Sequence, residues 1–277
     1  MAKLGDMVYQ DLVARGRKEA TAQQWRALAD KFGDCCGVKD AYDRTDVVKF
    51  LAQLRREGHK QSSINVMIRP IKLLAQIQKW PDGFPRLAMP KVRVSDVERP
   101  FLNHDEVCEM IRRAKVFCNE GELAYLALST TYGLRRVELA SLEVGDGMVT
   151  VDTVKGGVVT THIIPDQIKP YIGGYHHTDT RYMSLIFQRI CRKVGMDFEG
   201  KGFGWHAIRR SLATELLVQE VSALNIIRFM RWSDSLARGE FGMLVIYAKR
   251  NQAKIDRAIF EVHPFLPVWA GKGRWSK

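Results

Sequence analysis

Four of the nine prolines, Pro81, Pro85, Pro90 and Pro100, fall in one stretch that reads PDGFPRLAMPKVRVSDVERP. Proline fixes φ and has no amide proton to donate, so this run cannot continue a helix and divides the chain in two. With 277 residues, each part falls near the size of an ordinary compact domain. The expected division is a first domain over 1–97 with a linker at about 80–100, followed by a second domain over 98–277. An apolar share of 46% gives both parts enough material for a core.

From Glu19 to about Lys79 the spacing is helical, with Trp25, Leu28, Ala29 and Phe32 three and four apart on one face. A second helix is expected after Thr45 as N-cap, DVVKFLAQLRREG, stopping at Gly58. A third follows Ser62 and Ser63 as INVMIRPIKLLAQIQKW, with a kink expected at Pro70. Beyond the linker, FLNHDEVCEMIRRAKVF reads as a helix capped by Asn103, with Asp105 and Glu106 suiting its positive end. GELAYLALSTTYG reads as another. In GMVTVDTVKGGVVTTHIIP, β-branched residues alternate about Gly156 and Gly157, the pattern of an antiparallel hairpin. Thr178 to Ile259 is again mostly helical. The fold class is therefore mostly α with a small antiparallel β-sheet: an N-terminal helical bundle and a C-terminal α+β domain.

Lys and Arg number 43 against 31 Asp and Glu, a formal charge of +12, which favours a polyanion or an anionic membrane surface as partner. In the linker, Lys91, Arg93 and Arg99 fit contacts along phosphates and equally a solvated hinge. No apolar run approaches the ~18 residues of a membrane span, and the start MAKLGDMVYQDL lacks the pattern of a leader, so a cytoplasmic, nucleoid-associated protein is expected. The five cysteines, Cys35, Cys36, Cys108, Cys118 and Cys191, include no C-x-x-C pair and read as reduced packing residues.

Five pieces occur in order in the second domain: GLRRVEL at 133–139, Lys155, HAIRR at 206–210, Trp232 and Tyr247. Together they resemble the catalytic domain of the tyrosine recombinase/integrase family, whose pattern runs Arg, Lys, His-x-x-Arg, His or Trp, then Tyr. Gly133, Leu134, Arg135, Glu138 and Leu139 match the family's G-L-R-x-x-E-L, and His206 to Thr214 match its H-x-L-R-H-T-x-A-T. Trp232, in FMRWSDS, stands where most relatives carry the histidine of L-G-H and where the phage recombinase Cre carries tryptophan. Tyr247 lies further from Trp232 than relatives usually show, with SDSLARGEFG as extra loop.

The resemblance implies a core-binding domain at 1–97, a catalytic domain with a C-terminal tail at 98–277, and catalytic residues Arg135, Lys155, His206, Arg209, Trp232 and Tyr247. The chemistry calls for these residue types. Attack on a phosphodiester concentrates negative charge on the non-bridging oxygens, and the rigid, permanently charged forks of Arg135 and Arg209 suit that charge. His206 and Arg209, three apart, share a helix face. Arg136, a third of a turn from Arg135, is expected to contact the surface or DNA backbone instead. A tyrosine hydroxyl, with its pKa near ~10, needs positive surroundings and a proton acceptor before it attacks. Lys155 is implied as proton donor to the leaving oxygen, and the Trp232 indole as a donor to phosphate or as core packing.

Implied partners are double-stranded recombination sites and a homotetramer of this chain on DNA, for integration or excision of a viral or other mobile element; no cofactor, metal or membrane is implied, and accessory proteins stay open. The longer loop also suits donation of Tyr247 in trans to a neighbouring subunit. The apolar Ile255, Ala258, Ile259, Phe265 and Leu266 fit a tail docked on a neighbour or on the chain's own body. Alternative functions are a non-catalytic DNA-binding protein of this fold, a type IB topoisomerase or telomere resolvase, and a metal-dependent nuclease, the last lacking a carboxylate cluster of convincing spacing.

Overall fold

The computed structural model describes residues 3–39, 41–87, 89–90, 101–153, 159–196, 203–232 and 252–271. Backbone contacts divide the chain into two compact units, Met1–Glu98 and Arg99–Lys277. Among the described residues, no helix is long and apolar enough to cross a membrane.

The first unit is helical: α1 (Leu4–Ala14), α2 (Glu19–Cys36), α3 (Arg44–Arg56), α4 (Gln61–Met67) and α5 (Arg69–Ile77). Helix α1 was not foreseen, although Leu4, Val8 and Leu12 recur every fourth residue and bury one face. It lies against α2 so closely that a Cβ on Gly5 would stand 2.6 Å from the Arg26 carbonyl oxygen. The Gly5 amide donates to Asp30 Oδ1 at 2.9 Å across that contact. Thr45 is not the cap of α3. Asp43 is, accepting from the Asp46 amide at 3.0 Å while Asp46 Oδ2 accepts from the Asp43 amide at 3.1 Å. The segment expected to kink at Pro70 is two helices, divided at Ile68, because the proline ring offers no N–H and crowds the preceding turn. Phe32, Tyr42, Phe50 and Trp80 meet in the core, with ring centroids of Phe32 and Tyr42 4.8 Å apart.

The second unit opens with α6 (His104–Phe117) and α7 (Glu120–Tyr132). Asn103 caps α6 as expected, its side chain accepting from the Glu106 amide at 2.9 Å and Glu106 returning the bond to the Asn103 amide at 2.8 Å. Replacing Asn103 with alanine is expected to cost about 1 kcal/mol, read as a lowered unfolding midpoint in denaturant. Helix α7 is buried on nearly every side and ends at Gly133, at a φ of 56°. That φ disfavours any side chain there, and a Cβ would also push on the end of the Met230 side chain, 2.5 Å away at Cε.

The chain then makes the short helix α8 (Arg136–Leu139) and a three-stranded antiparallel sheet in the order β1 (Glu143–Gly145), β2 (Met148–Asp152), β3 (Val159–Ile163). The expected hairpin is β2 with β3, Asp152 pairing with Val159; its turn at 154–158 lies outside the described residues. Strand β1 was unforeseen, and its signal was the Asp146-Gly147 pair, whose φ values of 50° and 74° form a two-residue hairpin turn.

Helices α9 (Thr180–Lys193), α10 (Trp205–Val218), α11 (Ala223–Phe229), α12 (Gln252–Glu261) and α13 (Leu266–Trp269) complete the unit. The sequence left two docking options for the tail, and residues 252–271 pack on the chain's own body. Ile255, Ile259, Phe265, Leu266 and Trp269 are buried in the main core, while Ala258 is exposed. Trp269 Nε1 donates to Thr130 Oγ1 on α7 at 3.0 Å. All five cysteines are free, and three of them, Cys36, Cys108 and Cys191, are buried.

Candidate active site

The site is built around one carboxylate. Glu138, on α8, is wholly buried, and three guanidinium groups converge on it. Arg135 lies just ahead of α8 in extended conformation, so its backbone amide is free to donate to Glu138 Oε2 at 2.8 Å. Its Nη1 also bonds Glu138 Oε1. The carboxylate therefore holds Arg135 from both ends and fixes the direction of its fork. Arg209, on α10, places Nη1 3.8 Å from Glu138 Oε2. Thus the structure brings together Arg135 and Arg209, the two arginines that the sequence motifs select.

Arg209 donates to the carbonyls of Gly133 and Met230, which are the end of α7 and the end of α11. Two backbone oxygens and a carboxylate hold a side chain only 7% exposed. Its guanidinium stands 6.0 Å from the centre of the Trp232 ring. Trp232 is half-buried and packs on the main core. His206 is exposed, three residues from Arg209 on the same helix. Arg136 is exposed and donates to Ser184 Oγ at 3.1 Å, away from Glu138, as its position on the helix led us to expect. Lys155, in the sequence between β2 and β3, and Tyr247, in the sequence before α12, lie outside the described residues.

A third arginine was missed by sequence reading. Arg231 is buried, adopts a φ of 52°, and aims its side chain inward. Its Nη2 donates to the Tyr132 carbonyl at 2.9 Å and lies 3.4 Å from Glu138 Oε2, while Nη1 donates to the Phe229 carbonyl at 2.8 Å. Nη1 also meets His162 Nε2 at 3.0 Å, and His162 Nδ1 meets Asp256 Oδ1 at 2.9 Å. An arginine can only donate, so Nε2 accepts and the His162 proton sits on Nδ1, facing Asp256. Its signal lay in the motif itself: this chain places arginine where L-G-H has glycine, at a φ that favours glycine.

Electrostatics follow from this crowding. Arg209 is held down to about 9 by burial and then by the like charges of Arg231 and Arg135, with Glu138 opposing. It remains protonated at neutral pH. His206 has its pKa lowered by partial desolvation and then by Arg209, Arg210 and Arg135, so the imidazole is neutral near pH 7 and able to accept a proton. Burial alone would raise Glu138, but Arg231, the Arg135 amide and Arg209 outweigh it and hold the carboxyl below its usual value. His162 is held neutral by burial and by Arg231 against the pull of Asp256. Among the described residues, three guanidinium groups surround Glu138, and Arg210 adds a further positive charge near His206, so the surroundings of the site are positive. A phosphodiester carries the opposite sign.

No protein-family model matches the chain. It is 28% identical over 270 residues to the tyrosine recombinase XerA of Pyrococcus furiosus, covering 89% of this chain and 91% of that protein. Among solved structures it is similar to a lambda integrase(75–356) dimer bound to a COC′ core site, with a TM-score of 0.65, 19% identity, and coverage of 86% of this chain and 97% of that one. It is also similar to a lambda integrase tetramer bound to a Holliday junction, at a TM-score of 0.60 and 18% identity over 82% of this chain and 75% of that one. XerH bound to difH in a pre-cleavage complex matches at a TM-score of 0.54 and 14% identity, over 81% and 78% of the two chains.

Proposed function

We propose that this chain, which belongs to the tyrosine recombinase/integrase family, is a site-specific DNA recombinase that breaks and rejoins strands through a 3′-phosphotyrosine link at Tyr247. The observation that carries the reading is the pairing of Arg135 and Arg209 about buried Glu138, with His206 three residues from Arg209 on the same helix.

In the proposed step the Tyr247 oxygen attacks phosphorus, and the bond from phosphorus to the 5′-oxygen breaks. The tyrosine proton passes to His206. Lys155 gives a proton to the departing 5′-oxygen, leaving a free 5′-hydroxyl. The phosphodiester energy is kept in the tyrosyl ester, so the reverse attack by a 5′-hydroxyl rejoins a strand without ATP. Arg135 and Arg209 meet the charge that grows on the non-bridging oxygens, and being fixed beforehand they need little reorganisation as it develops. The Trp232 indole stacks near Arg209 and offers an N–H, which can orient a phosphate oxygen but cannot shuttle a proton. None of these roles calls on a metal ion.

The reading extends to a first unit that binds the core of a recombination site, a homotetramer on DNA, and action in the cytoplasm on nucleoid DNA during integration or excision of a mobile or viral element. The tetramer is supported by similarity to the lambda integrase tetramer. A charge of +12 supports binding dominated by phosphate contacts. Raising salt from about 50 to about 200 mM is therefore expected to weaken DNA affinity by about a thousandfold or more, measured by fluorescence anisotropy on a labelled duplex. An affinity that barely moves over that range would contradict a phosphate-dominated interface.

A further inference from the structure

Arg231 has no role in the step just described, yet it is buried against the residues that do. Both its backbone and its side chain reach the arginine pair. Its carbonyl accepts from Arg135 Nη2 at 3.1 Å, and its guanidinium stands against the same Glu138 that holds Arg135. The three residues Met230, Arg231 and Trp232 together cradle the pair: Met230 through its carbonyl on Arg209, Arg231 through its carbonyl on Arg135, and Trp232 through its ring. The left-handed φ of 52° belongs to the turn that carries this cradle.

On its other side Arg231 leads away from the pair. It meets His162 on β3, the strand that follows Lys155 in the sequence. His162 meets Asp256 on α12, which begins five residues after Tyr247. Asp256 is itself fully engaged, taking the Ile163 amide at 2.9 Å and Gln252 Nε2 at 2.9 Å. The buried path Glu138, Arg231, His162, Asp256 thus joins the carboxylate that aims Arg135 to the strand after Lys155 and the helix after Tyr247.

A packing role alone explains this poorly. Burying a whole arginine is costly, and a well-packed apolar side chain is often as stable or more so. Here that cost is borne by a residue with a backbone conformation suited to glycine, and among the described residues buried Arg231 Nε has no hydrogen-bond partner.

We propose that Arg231 is a positioning residue for strand cleavage. Through Glu138 it sets the forks of Arg135 and Arg209, and through His162 and Asp256 it ties them to the elements that flank Lys155 and Tyr247. The inference rests on the recombinase reading and on no direct contact between Arg231 and DNA.

The test uses Arg231→Gly in the full chain. Glycine keeps the φ and the carbonyl contact with Arg135 while emptying a guanidinium-shaped space. Wild type, Tyr247→Phe and Arg231→Gly are compared on a nicked duplex bearing the attachment site, with affinity and single-turnover adduct formation measured separately. An adduct from wild type that Tyr247→Phe abolishes establishes the reading; without it the reading falls, and the inference with it. Given that adduct, Arg231→Gly at saturating DNA is expected to react about a hundredfold more slowly with affinity within about twofold of wild type, since a misplacement of about 1 Å costs about that much. Guanidinium chloride below denaturing concentration is expected to recover about tenfold of the lost rate, and sodium chloride at the same concentration none. A wild-type rate, or a loss of rate matched by loss of affinity with no recovery in guanidinium, would overturn the proposal. If the glycine variant fails to fold, Asp256→Asn decides by the same division between rate and affinity.

Discussion

Replacing Arg209 with alanine lowers the rate of covalent adduct formation by about a hundredfold to a thousandfold while the protein still binds its DNA. The magnitude is that of removing one fixed donor from the charge that develops in a transition state, about 3 to 4 kcal/mol. Arg209 is well suited to such a role because its cost of immobilisation is met in the folded protein, where the Gly133 and Met230 carbonyls already hold it. Arg209→Lys is expected to fare little better, since one ammonium cannot span two carbonyls and present a planar pair of donors to phosphate. Single-turnover cleavage at saturating DNA checks both variants. A rate within threefold of wild type for either would remove Arg209 from the chemistry.

The largest effect on stability is expected at Glu138. Glu138→Gln leaves Arg135, Arg209 and Arg231 facing one another without the charge that all three surround. Breaking a buried ion pair by removing one partner typically costs about 3 to 5 kcal/mol, and this loss is measured by chemical denaturation. A multivalent anion such as sulfate should restore part of it, because the deficit is one of negative charge. The pH dependence has a definite sign. The folded carboxyl titrates below its unfolded value of about 4.3, so its contribution is complete above that pH and is lost as pH falls through the lower, folded pKa. The glutamine variant is expected to lack this part of the acid dependence. Unchanged stability at neutral pH would mean that Glu138 is not the hub of the site.

Much of this was open to reading in the sequence because the residues concerned act through short, local patterns. Asn103 caps α6 with Glu106 three residues on, a spacing that any linear reading detects. His206 and Arg209 share one turn of α10, so their common face follows from helical geometry alone. Arg135 and Arg209 meet only in three dimensions, and their pairing was foreseen through resemblance rather than through spacing.

What escaped notice has identifiable causes. Asp43 outcompetes Thr45 for α3 because Asp46 returns its bond, a reciprocal contact visible only once Asp is accepted in place of Glu at the third position. Strand β1 has three residues, too few for alternation to register, although its Asp-Gly turn was in plain view. Arg231 reads as one more surface charge in a basic chain. Its burial depends on His162 and Glu138, which lie 69 and 93 residues away along the chain. Tail docking was undecided because an apolar stripe looks the same whether a neighbour or the chain's own α7 covers it.

The central claim is that Tyr247 is the nucleophile of a metal-independent strand cleavage. The direct measurement incubates wild type and Tyr247→Phe with nicked DNA carrying the candidate attachment site, in EDTA, and resolves the products on a denaturing gel. A covalent protein–DNA adduct from wild type alone is the expected result. An adduct that survives Tyr247→Phe, or cleavage that appears only on adding a divalent metal, would contradict it.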